Sequence, residues 1–312
     1  GSAEFAVLSS AQVAALTAAQ VGKLETADVA ALGTAALKGL GVESVAALTT
    51  AQMQSITSAQ FASLSSTQLA ALGSADVAAI TTADLKAMGT TALAGLSADQ
   101  IASLTTAQIA ALGTAHIAAL SAEQVTGLSV GSVTALSSSQ VSVLGSTQLV
   151  AFNTAQLAAI GTDDIKTLAT AALHALGADQ VAAMTSNQFG ALTTAQAVAL
   201  TAEQLGTLGT ASLNAMSSAD FAVLSSTQVA ALTAAQVGKL ETADLAALTT
   251  AALKGLSVEG VAALTTAQML AISTAQFASL SSTQLGALGS ADMAAITTAD
   301  VKAMGTAALA GL

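Results

Sequence analysis

The chain has 312 residues, 18 acidic and seven basic side chains, a formal net charge of −11, and no Cys, Pro, Trp or Tyr. Without Cys there are no disulfides and no thiolate metal ligands. The seven basic residues are all Lys and are scattered, so phosphate neutralisation is out of reach, and neither nucleic acid nor an anionic membrane surface is an expected partner.

A hydrophobic share of 53% and a mean hydropathy of +0.71 invite a membrane reading. That reading fails because no run of 18 apolar residues exists, so no membrane insertion is expected. Ala supplies much of the apolar share.

Every eighth residue is apolar from Leu8 to Leu312, which divides the chain into 39 octads with no insertion or deletion. Leu fills most of these places; Ile56, Met88, Phe152 and Met216 show the kinds of exception. A second column, at place five of each octad, is equally strict: Phe5, Val13, Val21, Val29, Leu37 and onward to Leu309. One period kept from end to end marks a repeat array. The expectation is therefore a single continuous array over 1–312, in place of the two domains its length alone would suggest.

Within an octad the elements follow in a fixed order, as in Thr105-Thr106-Ala107-Gln108-Ile109-Ala110-Ala111-Leu112. Place one is Thr, Ser or Gly in nearly every octad, and all three favour the helix N-cap. Place four is most often Gln, which makes Thr-x-x-Gln a capping box, with Leu104 before the cap and Ile109 after it forming a hydrophobic staple. Each octad thus predicts a helix of about one and a half turns, ended by a sharp turn at the next Leu-Thr or Leu-Gly. The charges agree. Sixteen of the 18 acids stand at places three or four, and the other two, Glu25 and Glu241, stand at the cap. All seven Lys (23, 38, 86, 166, 239, 254 and 302) stand at places six or seven. Anions at helix N-termini and cations at C-termini complement the helix dipole.

Two other architectures fit less well. A β-solenoid is disfavoured because Ala, Gln and Asp are poor strand residues and the apolar spacing of three then five does not alternate. A single long helix would need a stripe near 3.6 residues per turn, and two turns per octad give 4.0. Helices this short do not persist alone. The predicted fold class is all-α, a solenoid or superhelical coil with one very short helix per 8-residue repeat. The columns at places five and eight form its thin apolar axis, and Ala at places three, six and seven lets backbones approach.

Along the chain, Phe5–Leu96 recurs as Phe221–Leu312, 27 octads on, with 13 of 92 positions changed. Core changes are apolar for apolar: Val29 becomes Leu245, Val77 becomes Met293, and Leu85 becomes Val301. Ala83-Asp84-Leu85-Lys86 is echoed by Asp163-Asp164-Ile165-Lys166, ten octads on. One shift is odd and the other even, which implies octads that are nearly equivalent, as under a screw operation. The stretch 121–146, rich in Ser and Val, is expected to be the least helical and locally looser. Neither end carries an atypical capping octad, which solenoids normally need, and Gly1-Ser2 has the form of a protease-cleavage remnant. A fragment of a longer array is expected, with self-association through uncapped ends as one consequence.

Chemistry-bearing residues are few. His116 takes the place of a capping Gln and His174 stands at the variable place six; both are expected at the surface, and two His without Cys make no zinc site. Asp163-Asp164 is the only acidic pair and lacks a calcium-loop pattern, so helix N-terminal charge is its default role. Ser and Thr are explained by capping, and none lies in Gly-x-Ser-x-Gly. A regular Thr-Thr hydroxyl ladder along one edge would suit a periodic ligand surface, but capping accounts for it. No catalytic, cofactor-binding or metal site is assigned and no cofactor is implied; an enzyme is the least expected class.

The pattern Leu-Thr-Thr-Ala-Gln-Ile-Ala-Ala, as at 104–111, resembles octapeptide tracts of large repetitive bacterial proteins that are adhesin-like, secreted or surface-exposed. The resemblance covers the whole chain through a simple motif and brings no site residues. It implies a structural repeat region, a rod, spacer or scaffold at an extracellular or cell-surface location. Neighbouring repeats of the same chain are the expected partners. A ligand- or polymer-binding solenoid and a self-assembling filament are the competing readings.

Overall fold

The computed structural model describes residues 1–310. Among the described residues there is no strand, and each octad carries one helix of four to six residues, from Ser2–Phe5 to Thr306–Leu309. These residues form two compact units, Gly1–Ile160 and the remainder from Gly161. The eight-residue period runs through both sequences.

The local rules are the same in every octad. In Thr106–Ala111 the Ile109 amide donates to the Thr105 carbonyl at 3.0 Å and the Leu112 amide to the Ile109 carbonyl at 3.1 Å. The helix then stops at once. Leu112 is extended (φ −62°, ψ 140°), and so is the next cap, Gly113 (φ −72°, ψ 161°). Two extended residues, at places eight and one, make the whole turn. No described residue has positive φ; glycine at place one is an N-cap as expected, and Thr105 adopts nearly the same angles (φ −70°, ψ 159°). Segment 121–146 also departs from expectation. It forms the helices Ala122–Thr126, Val130–Thr134 and Ser138–Val141, as regular as the rest.

Short helices survive because successive turns of the coil bury them. In the first unit, helix Ser10–Ala14 packs on Thr34–Leu37, and Thr50–Ser55 on Ser74–Ala79. In the second, Thr242–Ala247 packs on Thr266–Ala271. Each helix thus meets the one three octads on, while side chains reach four octads back. One turn of each coil therefore holds between three and four octads. A non-integral turn leaves no octad privileged, which is why both odd and even octad shifts are tolerated in the sequence.

Every place-five residue from Val13 to Leu285 and every place-eight residue from Leu32 to Leu280 is buried, between 0 and 8% exposed. Full burial of a Val, Leu or Ile side chain contributes about 1.5–3 kcal/mol, and each octad provides two. At the first turn Leu8, Leu16 and Leu24 are only half-buried, whereas at the last it is Val301 and Leu309 that are exposed. Place eight is thus covered by the preceding turn of the coil and place five by the following one.

Backbone approach is tightest at places six and seven. At place seven, a Cβ on Gly39 would lie 2.8 Å from Ser10 Cα and would collide with the Ser10 carbonyl oxygen. At place six, a Cβ on Gly22 would lie 2.9 Å from the Ala47 carbonyl oxygen. At these two positions the neighbouring turn's backbone leaves no room for a larger residue.

Candidate functional site

The feature repeated most often is the place-four side chain. Gln52 shows its full role. Its Oε1 accepts from the Thr49 amide at 2.7 Å, and the Gln52 amide donates to Thr49 Oγ1 at 3.3 Å. This is the expected capping box. The side-chain Nε2 does something that capping did not predict: it donates to the Val21 carbonyl at 2.9 Å and the Leu24 carbonyl at 2.8 Å, in the octad four back. One carboxamide therefore closes the start of its own helix and the end of a helix in the previous turn, using its oxygen and both protons.

The arrangement recurs with offsets of 31 and 28 residues. Gln60 reaches Val29 and Leu32, and Gln68 reaches Leu37 and Leu40. In the second unit Gln196 reaches Ile165 and Leu168, and Gln236 reaches Leu205 and Leu208. Gln52, Gln156 and Gln204 are 1–2% exposed, and a buried amide is tolerated only because it is fully bonded. We refer to these residues as latches.

His116 occupies the same place and copies the geometry. The Gly113 amide donates to Nδ1 at 3.1 Å and Nε2 lies 2.7 Å from the Met88 carbonyl, 28 residues back. With Nδ1 accepting, the Nε2–H tautomer is required. His116 is half-buried rather than fully at the surface as expected, because it joins two turns of the coil. His174 is exposed, and its Nδ1 lies 2.8 Å from the Ala199 carbonyl. Asn214, also at place six, donates to the Lys239 carbonyl at 2.7 Å across the same 25-residue offset.

Asp at place four cannot donate, and it turns instead towards hydroxyls. Thr50 donates to Asp76 at 2.9 Å, Ser58 to Asp84 at 2.6 Å, Ser218 to Asp244 at 2.8 Å and Thr266 to Asp292 at 3.1 Å, each 26 residues earlier. Asp220 differs. Its Oδ2 accepts from the Ser217 amide and hydroxyl, while its buried Oδ1 has no partner. Burial pushes the Asp244 carboxyl above the ordinary aspartate value; the Ser218 hydrogen bond opposes this, and the negative charges of Glu241 and Asp220 add to it. At Asp300 burial alone would raise the value, but hydrogen bonds from the Thr297 hydroxyl and amide and the Thr274 hydroxyl outweigh it and hold the carboxyl low.

The remaining candidates do not converge. Asp163 binds Lys166 Nζ at 3.1 Å, an ion pair with 50% and 89% of its side chains exposed. No group of three or more metal-ligating side chains occurs among the described residues, nor is any helix there long and apolar enough to cross a membrane. Shallow grooves lie along the coil. One of about 660 Å³ is lined by Thr162, Lys166, Asn187 and Gly190. Another, of about 560 Å³, is lined by Leu64, Gly89, Thr91 and Ala92.

A coil of very short helices, many of them sealed to the previous turn by a repeated Gln side chain, defines a helical repeat protein of the solenoid class. The ALTTAQ repeat model matches residues 21–58, 77–114, 157–194, 197–234 and 237–273, and every match opens at a place-five residue. These matches cover more than half of the chain, which belongs to the ALTTAQ repeat family. No curated protein matches it.

Proposed function

We propose that the array is a non-catalytic structural region, a rod or spacer within a large secreted or cell-surface protein. The observation that carries this reading is the uniformity of role. The side chains at places one, four, five and eight are spent on holding one octad to the next, and the 92-residue duplication changes 13 positions while keeping both core columns apolar. A part that grows by whole octads without altering its packing is one whose useful property is length. The surface location rests on the resemblance to octapeptide tracts of large bacterial surface proteins.

Small-angle X-ray scattering tests the spacer role. The chain is compared with a version in which residues 5–220 are duplicated in frame. The maximum dimension is expected to rise in proportion to the added octads; growth as the cube root of mass overturns the reading. Light scattering on the same samples measures self-association. For location, protease treatment of intact source cells is expected to remove the array, and full protection overturns the surface assignment.

A further inference from the structure

The latches are unevenly distributed, and their gaps fall together. In the first unit, octads 7 to 9 carry Gln52, Gln60 and Gln68, which bond six carbonyls of the previous turn. The next three octads carry Asp76, Asp84 and Ala92. By the same 31- and 28-residue offsets they face the carbonyls of Val45, Leu48, Met53, Ile56, Phe61 and Leu64. None of the three side chains has an N–H to give, and the only replacements are the Thr50 and Ser58 hydroxyl bonds to Asp76 and Asp84. A groove opens where Ala92 stands. In the second unit Asp244, Ala252 and Gly260 form a similar gap, with Ser218 supplying the hydroxyl to Asp244. Three octads are nearly one turn of the coil, so at least one whole turn-to-turn interface is left unlatched in each unit; in the second, Asp292, Asp300 and Ala308 make another such run.

We propose that the array is a graded mechanical element, whose turns part in a set order under axial tension, beginning at the Asp/Ala interfaces and ending at those closed by Gln. In a solenoid each turn touches only its neighbours, so interfaces fail separately. Tension along the array has to cross each of them. Away from the first and last turns apolar burial is alike, with Leu64 4% and Leu96 2% exposed, so the latch bonds are what distinguish one interior interface from another. This extends the spacer reading but does not rest on it, since an array of either role has the same interfaces.

Single-molecule stretching of the full chain, held by its two ends, tests the proposal. Extension is expected in steps, each freeing about 28 residues or a small multiple, roughly 90–100 Å of chain per turn at about 3.3–3.6 Å per residue. The lowest-force steps are assigned to the unlatched interfaces. Asp76→Gln/Asp84→Gln/Ala92→Gln should remove one low-force step, and Gln52→Ala/Gln60→Ala/Gln68→Ala should add one. Release of the whole chain in a single event overturns the proposal, as does a low-force step count that neither variant changes. If the alanine variant does not fold, the glutamine variant decides alone: losing one low-force step supports the proposal, and an unchanged count overturns it.

Discussion

Two adjacent interfaces of the first unit share their core and differ in their polar chemistry. Where Gln52, Gln60 and Gln68 look back on Val21 to Leu40, all six carbonyls receive an amide proton. Where Asp76, Asp84 and Ala92 look back on Val45 to Leu64, a carboxylate or a methyl group stands in the same place. Apart from Leu24, which is half-buried at the first turn, the apolar columns are buried to the same extent on both sides. Packing alone therefore suffices to build a turn of the coil, and hydrogen bonding decides how firmly that turn is held. A neutral hydrogen bond contributes about 0.5–1.5 kcal/mol net, and a buried group left unsatisfied costs about 1–3 kcal/mol, so three latches per turn make a difference of several kcal/mol.

The largest expected effect tests whether the core is common to both interfaces. Leu64→Asp, in the octad of Gln60, and Leu96→Asp, in the octad of Ala92, each bury an unpaired charge and should each cost several kcal/mol by chemical denaturation. Unequal losses would mean that the two interfaces also differ in packing. Next, Gln60→Ala should cost about 2–3 kcal/mol, because it abandons both its own cap amide and three carbonyls; a loss near zero would break the comparison. In the opposite direction, Asp220→Gln should stabilise by about 1–3 kcal/mol, since it replaces a buried oxygen without a partner by a donor.

A smaller effect concerns pH. The folded Asp244 carboxyl titrates above its unfolded value, so between the two values the native chain holds a proton that the unfolded chain has released. Its contribution is fully present below the unfolded value and is lost as pH rises through the folded one. Melting curves of wild type and Asp244→Asn should therefore diverge as pH rises from that of an ordinary carboxyl and then run parallel. Divergence on acidification instead would reverse the assignment. The smallest effect is expected from Lys166→Ala, which removes an exposed ion pair and should change stability by less than about 0.5 kcal/mol.

Much of this was legible in the chain. The positions of Thr105, Gln108, Ile109 and Leu112 name the cap, its reciprocal partner and both core columns, because capping and burial are local or periodic effects. Duplication across an odd number of octads pointed to equivalent repeats. The second bond of each Gln was not legible, because its acceptor lies 28 to 31 residues away and is a backbone carbonyl, which any residue type provides. His116 was misplaced for the same reason: a side chain expected only to cap its own helix also joins the previous turn. The unexpected helicity of 121–146 reflects tertiary burial of Val125, Val133 and Val141, which overrides weak propensity.

The amino-acid order by itself determined the eight-residue helix-and-turn unit, since the cap, staple and charge placement act within a few residues. The winding was decided only by the assembled coil: between three and four octads per turn, contact to the helix three on, and a carboxamide bonded four back. Those quantities depend on how finished helices stack, and stacking is set by side-chain volume and carbonyl direction across a span that no single octad contains.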